Sequence, residues 1–256
     1  MTKPCHPALD AGSLQIDSSV SDGGECQNSM ILVIDFGSQT AHLIGRRLRQ
    51  LGVNVQYCYP EDTLSSVKKL NPKGIILSGG PASVYEKKAP TLSLNIFALG
   101  IPILGICYGQ QLLAHLLGGS VKPGSVKEYG PAMLEIDVSS KLFTGITDNH
   151  FRVWMSHGDE VVTPPPGFSV VATTKSIKVA MMQDEVRRIY CVQFHPEVKH
   201  TAKGILILRN FAKIICDEQL QPLIISPHTL IENIKKIVGN QKVICAVSGG
   251  VDSTVA

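Results

Sequence analysis

Two stretches of this sequence carry residues suited to nucleophilic catalysis, and the first contains Cys107. In IPILGICYGQQLL (101–113), an apolar strand pattern runs into a helical one, and Gly105 and Gly109 each lie two residues from the cysteine. This spacing is typical of a nucleophile elbow, because a sharp strand-to-helix turn leaves no room for Cβ atoms beside the nucleophile. A thiol at a helix N-terminus also meets unpaired amides that favour the thiolate. Cys107 is therefore the candidate nucleophile, and the alternative is a small buried hydrophobic residue.

The second stretch supplies a candidate base. RRIYCVQFHPEV (187–198) has the composition of a strand and ends with His195, Pro196 and Glu197. Residues two apart in an extended segment project to the same side, so the Glu197 carboxylate can accept a hydrogen bond from one ring nitrogen of His195. The other ring nitrogen is then free to face a thiol, which is the arrangement of a base and its orienting group. Together with Cys107, these residues predict a catalytic triad.

Two glycine-rich loops can bind anionic groups. LSGGP (77–81) follows a predicted strand, and its free amides can form an oxyanion hole together with the amide of Tyr108; the alternative is an ordinary turn. SGGVDS (248–253) follows the apolar segment KVICAV, and its amides suit a phosphate or pyrophosphate, with Asp252 placed to help hold magnesium. A plain turn is again the alternative.

The elements that must position these residues alternate between strand and helix. MILVIDFG (30–37), VNVQYCY (53–59) and GIILSGG (74–80) have the composition of buried strands, and helical segments separate them at 40–52 and 65–70. Such βαβαβ order predicts an α/β fold with a doubly wound, mostly parallel sheet of flavodoxin-like type. Functional loops are expected at the carboxyl ends of its strands.

The remainder of the chain adds an antiparallel region and the start of a second unit. Segments of alternating polarity after residue 119 predict an antiparallel extension of the sheet, and 205–216 predicts an amphipathic helix that covers it. Within the predicted helical segment 40–52, the arginine-rich residues 46–49 indicate a helix face that is exposed to solvent. We therefore expect a flexible extension, an α/β domain, a linker and the truncated start of another domain, at 1–29, 30–217, 218–228 and 229–256 respectively.

Composition excludes several classes of protein. The 256 residues are 44% hydrophobic with a net charge of +3, which is too mild to predict nucleic-acid binding. The sequence contains no apolar run of the ~18 residues that a membrane helix needs, and we expect no targeting signal at its N-terminus. Seven cysteines without a C-x-x-C pair indicate reduced thiols and no metal site. We expect a cytosolic protein.

The motifs in their order resemble those of the glutamine-hydrolysing GMP synthases over residues 30–256. The elbow, the glycine loop and the His-Pro-Glu segment are shared by class I glutamine amidotransferases in general. The series runs DFGSQ, LSGGP, LGICYGQQ, KEYG, SHGD, HPEV and SGGVDS, and the resemblance to GMP synthases within that class comes from DFGSQ, SHGD and above all SGGVDS. Thr40 departs from the tyrosine that usually follows DFGSQ in the family.

The resemblance implies a role for each motif. Cys107 attacks the amide carbon of glutamine, His195 moves protons, Glu197 orients the imidazole, and the amides of Gly80 and Tyr108 hold the oxyanion. Two further residues contact the substrate glutamine, namely Gln111 and, unless SHGD is only a tight turn, Asp159. No cofactor is implied for the glutaminase half. The loop residues implied to cradle the ATP pyrophosphate are Ser248, Gly249, Gly250, Asp252 and Ser253.

The resemblance also implies reactions that this chain cannot complete alone. In the full-length enzyme, ammonia aminates xanthosine monophosphate (XMP) with ATP and Mg²⁺, and a homodimer is expected through the missing C-terminal region. Because most of the synthetase half lies beyond Ala256, we expect weak, uncoupled glutaminase activity. Two alternatives stay open: the glutaminase part of another class I amidotransferase, such as those serving anthranilate or carbamoyl phosphate, and a non-catalytic module that binds glutamine.

Overall fold

The fold is described from a computed structural model, which covers residues 30–137, 139–220, 227–239 and 241. The predicted N-terminal extension and the loop SGGVDS lie outside these described residues. Within them, a single nine-stranded sheet has the order β2-β1-β3-β4-β9-β8-β7-β5-β6. Its strands are β1 (Met30–Ile34), β2 (Asn54–Cys58), β3 (Gly74–Leu77), β4 (Ile103–Ile106), β5 (Ser120–Ile136), β6 (His150–Thr163), β7 (Ser169–Thr174), β8 (Met181–Asp184) and β9 (Ile189–Val192).

Helices cover the sheet on both faces. They are α1 (Ala41–Gln50), α2 (Thr63–Leu70), α3 (Tyr108–Leu116) and α4 (Gly204–Asn210), and α5 (Pro227–Val238) follows them in the chain. The segment predicted as one helix over 205–216 is divided, since α4 continues into a π-helical turn at Phe211–Ile215. No helix in the described ranges is long and apolar enough to cross a membrane.

The parallel half of the sheet is buried on both faces, as the continuous apolar runs predict. In β1, Ile31 and Val33 pack with α1 and α4, whereas Leu32 and Ile34 pack with α2 and α3. Every residue of β1, β3, β4 and β9 is buried. Five strands, β2, β1, β3, β4 and β9, pair in parallel and their carboxyl ends meet at one edge. The doubly wound α/β fold is therefore confirmed.

The other half of the sheet is antiparallel, which confirms the predicted extension. β8 joins β9 to β7, and the long strands β5 and β6 pair over most of their length, with an irregularity between Pro123 and Glu128. Along β6 the core residues alternate, with Phe151, Val153 and Met155 buried. The intervening residues therefore project away from the core. In the strand order, β6 is the last strand of the sheet.

Candidate active site

Cys107 occupies a strained elbow between β4 and α3. Its φ is 52° and its ψ is −103°, a conformation that non-glycine residues rarely adopt. The neighbouring glycines are required by space, because a Cβ at Gly105 would lie 2.8 Å from the Gly109 carbonyl oxygen, and a Cβ at Gly109 would lie 2.6 Å from that of Leu77. The Cys107 amide donates to the Val192 carbonyl at 2.8 Å. The sheet therefore holds the thiol at the carboxyl edge of β4 in a backbone conformation that marks functional sites.

Two groups that sequence reasoning missed contact the sulfur of Cys107. The Gln193 side-chain amide approaches it as a donor at 3.6 Å, and the Ser156 carbonyl oxygen lies 3.6 Å away as an acceptor for the thiol. Gln193 is fully buried, so its amide has no competing water contact. An N–H group directed at sulfur favours the thiolate. Gln193 lies two residues before His195, and this closeness to the candidate base was the sequence signal that could have identified it.

His195 and Glu197 form a buried pair at the carboxyl end of β9. The His195 Nδ1 atom lies 2.7 Å from Glu197 Oε1, and Glu197 is completely buried. The predicted extended conformation is wrong, because the strand ends at Val192 and the chain turns through Pro196 and Glu197. The side chains meet because of this turn and not because of a strand repeat.

The imidazole of His195 lines the same cavity as the Cys107 thiol. Burial opposes the charged imidazolium, but contacts with Cys107 and Glu197 outweigh it and raise the pKa of His195 from 6.5 to about 10. Since Nδ1 faces the carboxylate, Nε2 is the ring nitrogen left for the thiol and for a substrate. The arrangement places a candidate nucleophile, the Cys107 sulfur, beside a proton donor, the His195 imidazolium.

Arg47 holds the turn that carries Glu197, although the sequence predicts a solvated face there. Its Nε donates to the Glu197 carbonyl oxygen at 3.0 Å, across the gap between α1 and the turn. The arginine is half-buried and its chain neighbour Leu48 is fully buried. This contact joins residues 150 positions apart, so no local pattern could have indicated it.

The two predicted oxyanion-hole residues lie beside the thiol. Tyr108 begins α3 directly after Cys107, and Gly80 lines the cavity that contains Cys107 and His195. A Cβ at Gly80 would lie 2.8 Å from the Phe36 carbonyl oxygen, so this close approach needs glycine. Within the described part of the chain, neither the Gly80 nor the Tyr108 amide has a hydrogen-bond acceptor. Both donors are therefore available to a ligand.

Gln111 and Asp159 are connected to each other and to a third residue. Gln111 Nε2 donates to the Asp159 carbonyl oxygen at 2.7 Å, and the Asp159 carboxylate accepts from the Tyr85 hydroxyl at 2.8 Å. The segment SHGD (156–159) lies within β6, so its interpretation as a tight turn is wrong. Sequence reasoning missed Tyr85, which lies in the loop after the glycine-rich turn.

The cavity beside Cys107 and His195 has a volume of about 380 Å³ and is lined mainly by segment 37–40, Gly80 and Trp154. A second cavity of about 450 Å³, at the carboxyl ends of β1 and β2, contains Cys58 and His42. That pair is not equivalent, because burial raises the pKa of the Cys58 thiol. The His42 ring instead packs on the Tyr57 ring at 5.1 Å.

Among the residues that the structure describes, no group of three or more histidine, cysteine, aspartate or glutamate side chains is placed to hold a metal ion. The predicted pyrophosphate loop, with Ser248, Gly249, Gly250, Asp252 and Ser253, lies outside the described residues.

Comparison with known proteins gives a consistent family assignment. The family model for class-I glutamine amidotransferases matches residues 32–215. A glutamine-hydrolysing GMP synthase of Clostridium perfringens is 49% identical over 228 residues, which are 89% of this chain and 45% of that protein. Its counterpart in Staphylococcus carnosus is 49% identical over 90% of this chain and 44% of its own length. The chain thus spans about 45% of the length of these curated relatives.

Solved structures agree with the fold. The crystal structure of a Thermoplasma acidophilum protein, described as one subunit of a GMP synthase, superposes with a TM-score of 0.63 and 31% sequence identity. The match covers 81% of this chain and 98% of that one. A glutamine amidotransferase of Thermotoga maritima has the same fold, with a TM-score of 0.54 at 23% identity over 82% of this chain and 91% of its own.

Proposed function

The chain belongs to the class-I glutamine amidotransferase family, and from this premise we propose that it is the glutamine-hydrolysing part of a GMP synthase. The observation that carries the proposal is the buried Cys107, His195 and Glu197 arrangement, in which the carboxylate lies 2.7 Å from the ring and the ring shares a cavity with the thiol. The choice of GMP synthase rests on the relatives that are 49% identical across about nine tenths of the chain.

The proposed reaction has two halves. The Cys107 thiolate attacks the side-chain amide carbon of glutamine, and the His195 imidazolium gives its proton to the nitrogen as the C–N bond breaks and ammonia leaves. A water molecule then attacks the thioester while neutral His195 accepts its proton, the C–S bond breaks, and glutamate is released. Glu197 keeps the imidazole in the orientation that both steps need.

Neighbouring groups are proposed to bind the substrate. The free amides of Gly80 and Tyr108 stabilise the oxyanion that forms at the amide carbon. Asp159 pairs with the α-amino group of glutamine, and Gln111 contacts the same substrate. The hydrogen bond from the Gln111 side chain to the Asp159 backbone carbonyl supports a shared role, because it joins the two residues, although neither lines the cavity that contains Cys107 and His195.

In the whole protein, we propose that this ammonia passes to XMP in a reaction that consumes ATP with Mg²⁺ and yields GMP. The proposed amidotransferase domain is 30–217, with a linker at 218–228 and the start of the ATP pyrophosphatase domain at 229–256, whose loop 248–253 would cradle the pyrophosphate. A homodimer formed through the C-terminal region of the full-length enzyme is part of the same proposal. Four described cysteines are free, which supports a reducing compartment such as the cytosol.

A glutamine analogue that alkylates thiols tests the function. We expect one label per chain, located by peptide mass spectrometry at Cys107, together with slow release of glutamate and ammonia from glutamine. Selectivity is expected because burial raises the pKa of the thiols of Cys191 and Cys216, leaving them protonated and unreactive. Labelling of another cysteine, or labelling that persists in Cys107→Ala, would contradict the proposal.

Replacing Tyr85 by phenylalanine tests the proposed role of Asp159. The variant loses the hydroxyl that donates to the Asp159 carboxylate, so this carboxylate is held less firmly for the substrate amino group. We expect KM for glutamine to rise roughly two- to tenfold, the effect of one hydrogen bond, with a smaller change in kcat. Steady-state kinetics measure both constants. Tyr129→Phe is the control, since Tyr129 is 69% exposed on the adjacent strand, and an equal rise in KM there would refute the assignment.

A further inference from the structure

We infer that Thr201 is a positioning residue, whose hydroxyl fixes the backbone of His195 against β6 and so sets the distance between the imidazole and the Cys107 sulfur. The inference rests on the proposed roles of Cys107 and His195, and it adds a residue that neither motif contains. Thr201 lies six positions after His195 and is 4% exposed.

Three hydrogen bonds join Thr201, His195 and Trp154 in a closed ring. The His195 amide donates to the Trp154 carbonyl oxygen at 3.0 Å. The Trp154 amide donates to Thr201 Oγ1 at 3.1 Å, and the Thr201 hydroxyl donates to the His195 carbonyl oxygen at 2.6 Å. The hydroxyl therefore bridges a backbone donor, the Trp154 amide, and a backbone acceptor, the His195 carbonyl, which make no direct hydrogen bond with each other.

Trp154 can make these bonds because its strand partner leaves its backbone groups free. It lies opposite Pro131 of β5, which has no amide hydrogen to donate across the ladder, and both Trp154 backbone groups instead bond at the outer edge of β6, to Thr201 and His195. The same edge receives the Ala202 amide at the Arg152 carbonyl oxygen, at 3.0 Å. Residues two apart on a strand direct their backbone groups to the same edge.

The same edge of β6 also reaches the nucleophile. Ser156, two residues after Trp154, presents its carbonyl oxygen to the Cys107 sulfur at 3.6 Å. One short piece of strand thus contacts Cys107 directly and His195 through Trp154 and Thr201. A change in how His195 docks on this edge changes its position relative to the sulfur, and a misplacement of about 1 Å can cost about a hundredfold in rate.

The role of the hydroxyl can be separated from that of the methyl group. Thr201→Val keeps the shape of the side chain but leaves the Trp154 amide and the His195 carbonyl without their partner, and the turn must move to satisfy them. Thr201→Ser keeps the hydroxyl and loses only the methyl group. Thr174→Val is the matched control, because the Thr174 hydroxyl is also buried and accepts a backbone amide, that of Ile177 at 3.1 Å, in β7 away from the site.

The test compares the three variants with the unmodified chain by glutaminase kinetics and by the rate at which iodoacetamide alkylates Cys107. For Thr201→Val we expect kcat to fall about ten- to a hundredfold while KM changes less than about twofold, since the substrate-binding groups are untouched. The Cys107 alkylation rate is expected to change at least about fivefold, because it reports the imidazole beside the sulfur. Thr201→Ser should restore most of both rates, and Thr174→Val should leave both unchanged.

Several results would overturn the inference. A Thr201→Val protein with unaltered kcat and alkylation rate would show that the hydroxyl does not position His195, and so would a Thr201→Ser protein as slow as Thr201→Val. Failure of Thr201→Val to fold, when Thr174→Val folds, would assign the hydroxyl to stability alone. If the unmodified chain fails to hydrolyse glutamine, the proposed function fails, whereas the alkylation rates still decide the role of Thr201.

Discussion

Replacing His195 by alanine is expected to abolish glutamine hydrolysis, with a loss in kcat/KM of at least about a thousandfold. The imidazole shares its cavity with the Cys107 thiol and no other histidine lines that cavity, so no second base in the described chain can take its place. Without it, the Cys107 sulfur loses its neighbouring imidazole and the departing ammonia loses its proton donor. Release of glutamate, measured in a coupled assay, gives the rate.

The fold is expected to survive this change, which makes the result interpretable. His195 side-chain contacts are confined to the site, and its backbone bonds to Trp154 and Thr201 are retained in alanine. The circular dichroism spectrum should therefore match that of the unmodified chain. His115→Ala is the control, because His115 is exposed in the last turn of α3 and should leave the rate unchanged. Substantial turnover in folded His195→Ala would eliminate the proposed base.

The parts of this site that the sequence could predict are those encoded locally. The Gly105 and Gly109 spacing around Cys107 signals a tight strand-to-helix turn, because the steric demand that excludes Cβ atoms acts within a few residues. The continuous apolar runs likewise predict strands buried on both faces, since burial in a parallel sheet leaves no polar positions. For these features the cause and the pattern lie in the same short segment.

The parts that could not be predicted depend on contacts between distant segments. Arg47 has the sequence context of a solvated helix face, yet its guanidinium bonds to a carbonyl 150 residues away. Tyr85 reaches Asp159 across 74 residues, and Gln193 reaches the Cys107 sulfur across 86. The pattern around each residue is compatible with a surface or core role, so only the packing of the sheet decides which one holds.

For His195 and Glu197, the predicted contact is present but the predicted backbone conformation is not. The sequence predicts their contact from a two-residue strand repeat, and the contact is present, but the strand ends at Val192. Proline at 196 removes an amide donor and disfavours helix at His195, so the segment leaves the sheet in a turn. The turn is then held at the Glu197 carbonyl by Arg47, 150 positions away, and at the His195 carbonyl by Thr201, six positions away. Local sequence thus predicts the correct pair for an incomplete reason.

The carboxylate of Glu197, together with Cys107, raises the pKa of His195, so Glu197→Gln is the second decisive substitution. Glutamine keeps the size of the side chain and removes its charge from a fully buried position 2.7 Å from the ring. Because the neutral amide can neither stabilise an imidazolium nor enforce one tautomer, we expect kcat/KM to fall about 10²- to 10⁴-fold. Glu185→Gln is the control, since it removes a carboxylate that pairs with Lys141 at the protein surface.

The same substitution has a signed effect on the pH dependence. Burial lowers the pKa of His195, whereas the contacts with Cys107 and Glu197 raise it to about 10, so removal of the Glu197 charge must lower it. The imidazolium is the proton donor, and we expect the alkaline limb of the kcat/KM profile near pH 10 in the unmodified chain and at lower pH in Glu197→Gln.

Stability gives an independent check on this charge state. Since folding raises the pKa of His195 above its unfolded value of 6.5, the contribution of the imidazolium to the free energy of unfolding is complete below pH 6.5 and is lost as the pH rises through about 10. Urea denaturation should therefore show the largest difference between the unmodified chain and Glu197→Gln below pH 6.5, and a smaller one at pH 10. If Glu197→Gln shifts neither the alkaline limb of kcat/KM nor, below pH 6.5, the free energy of unfolding relative to the unmodified chain, then Glu197 does not hold the proton on His195.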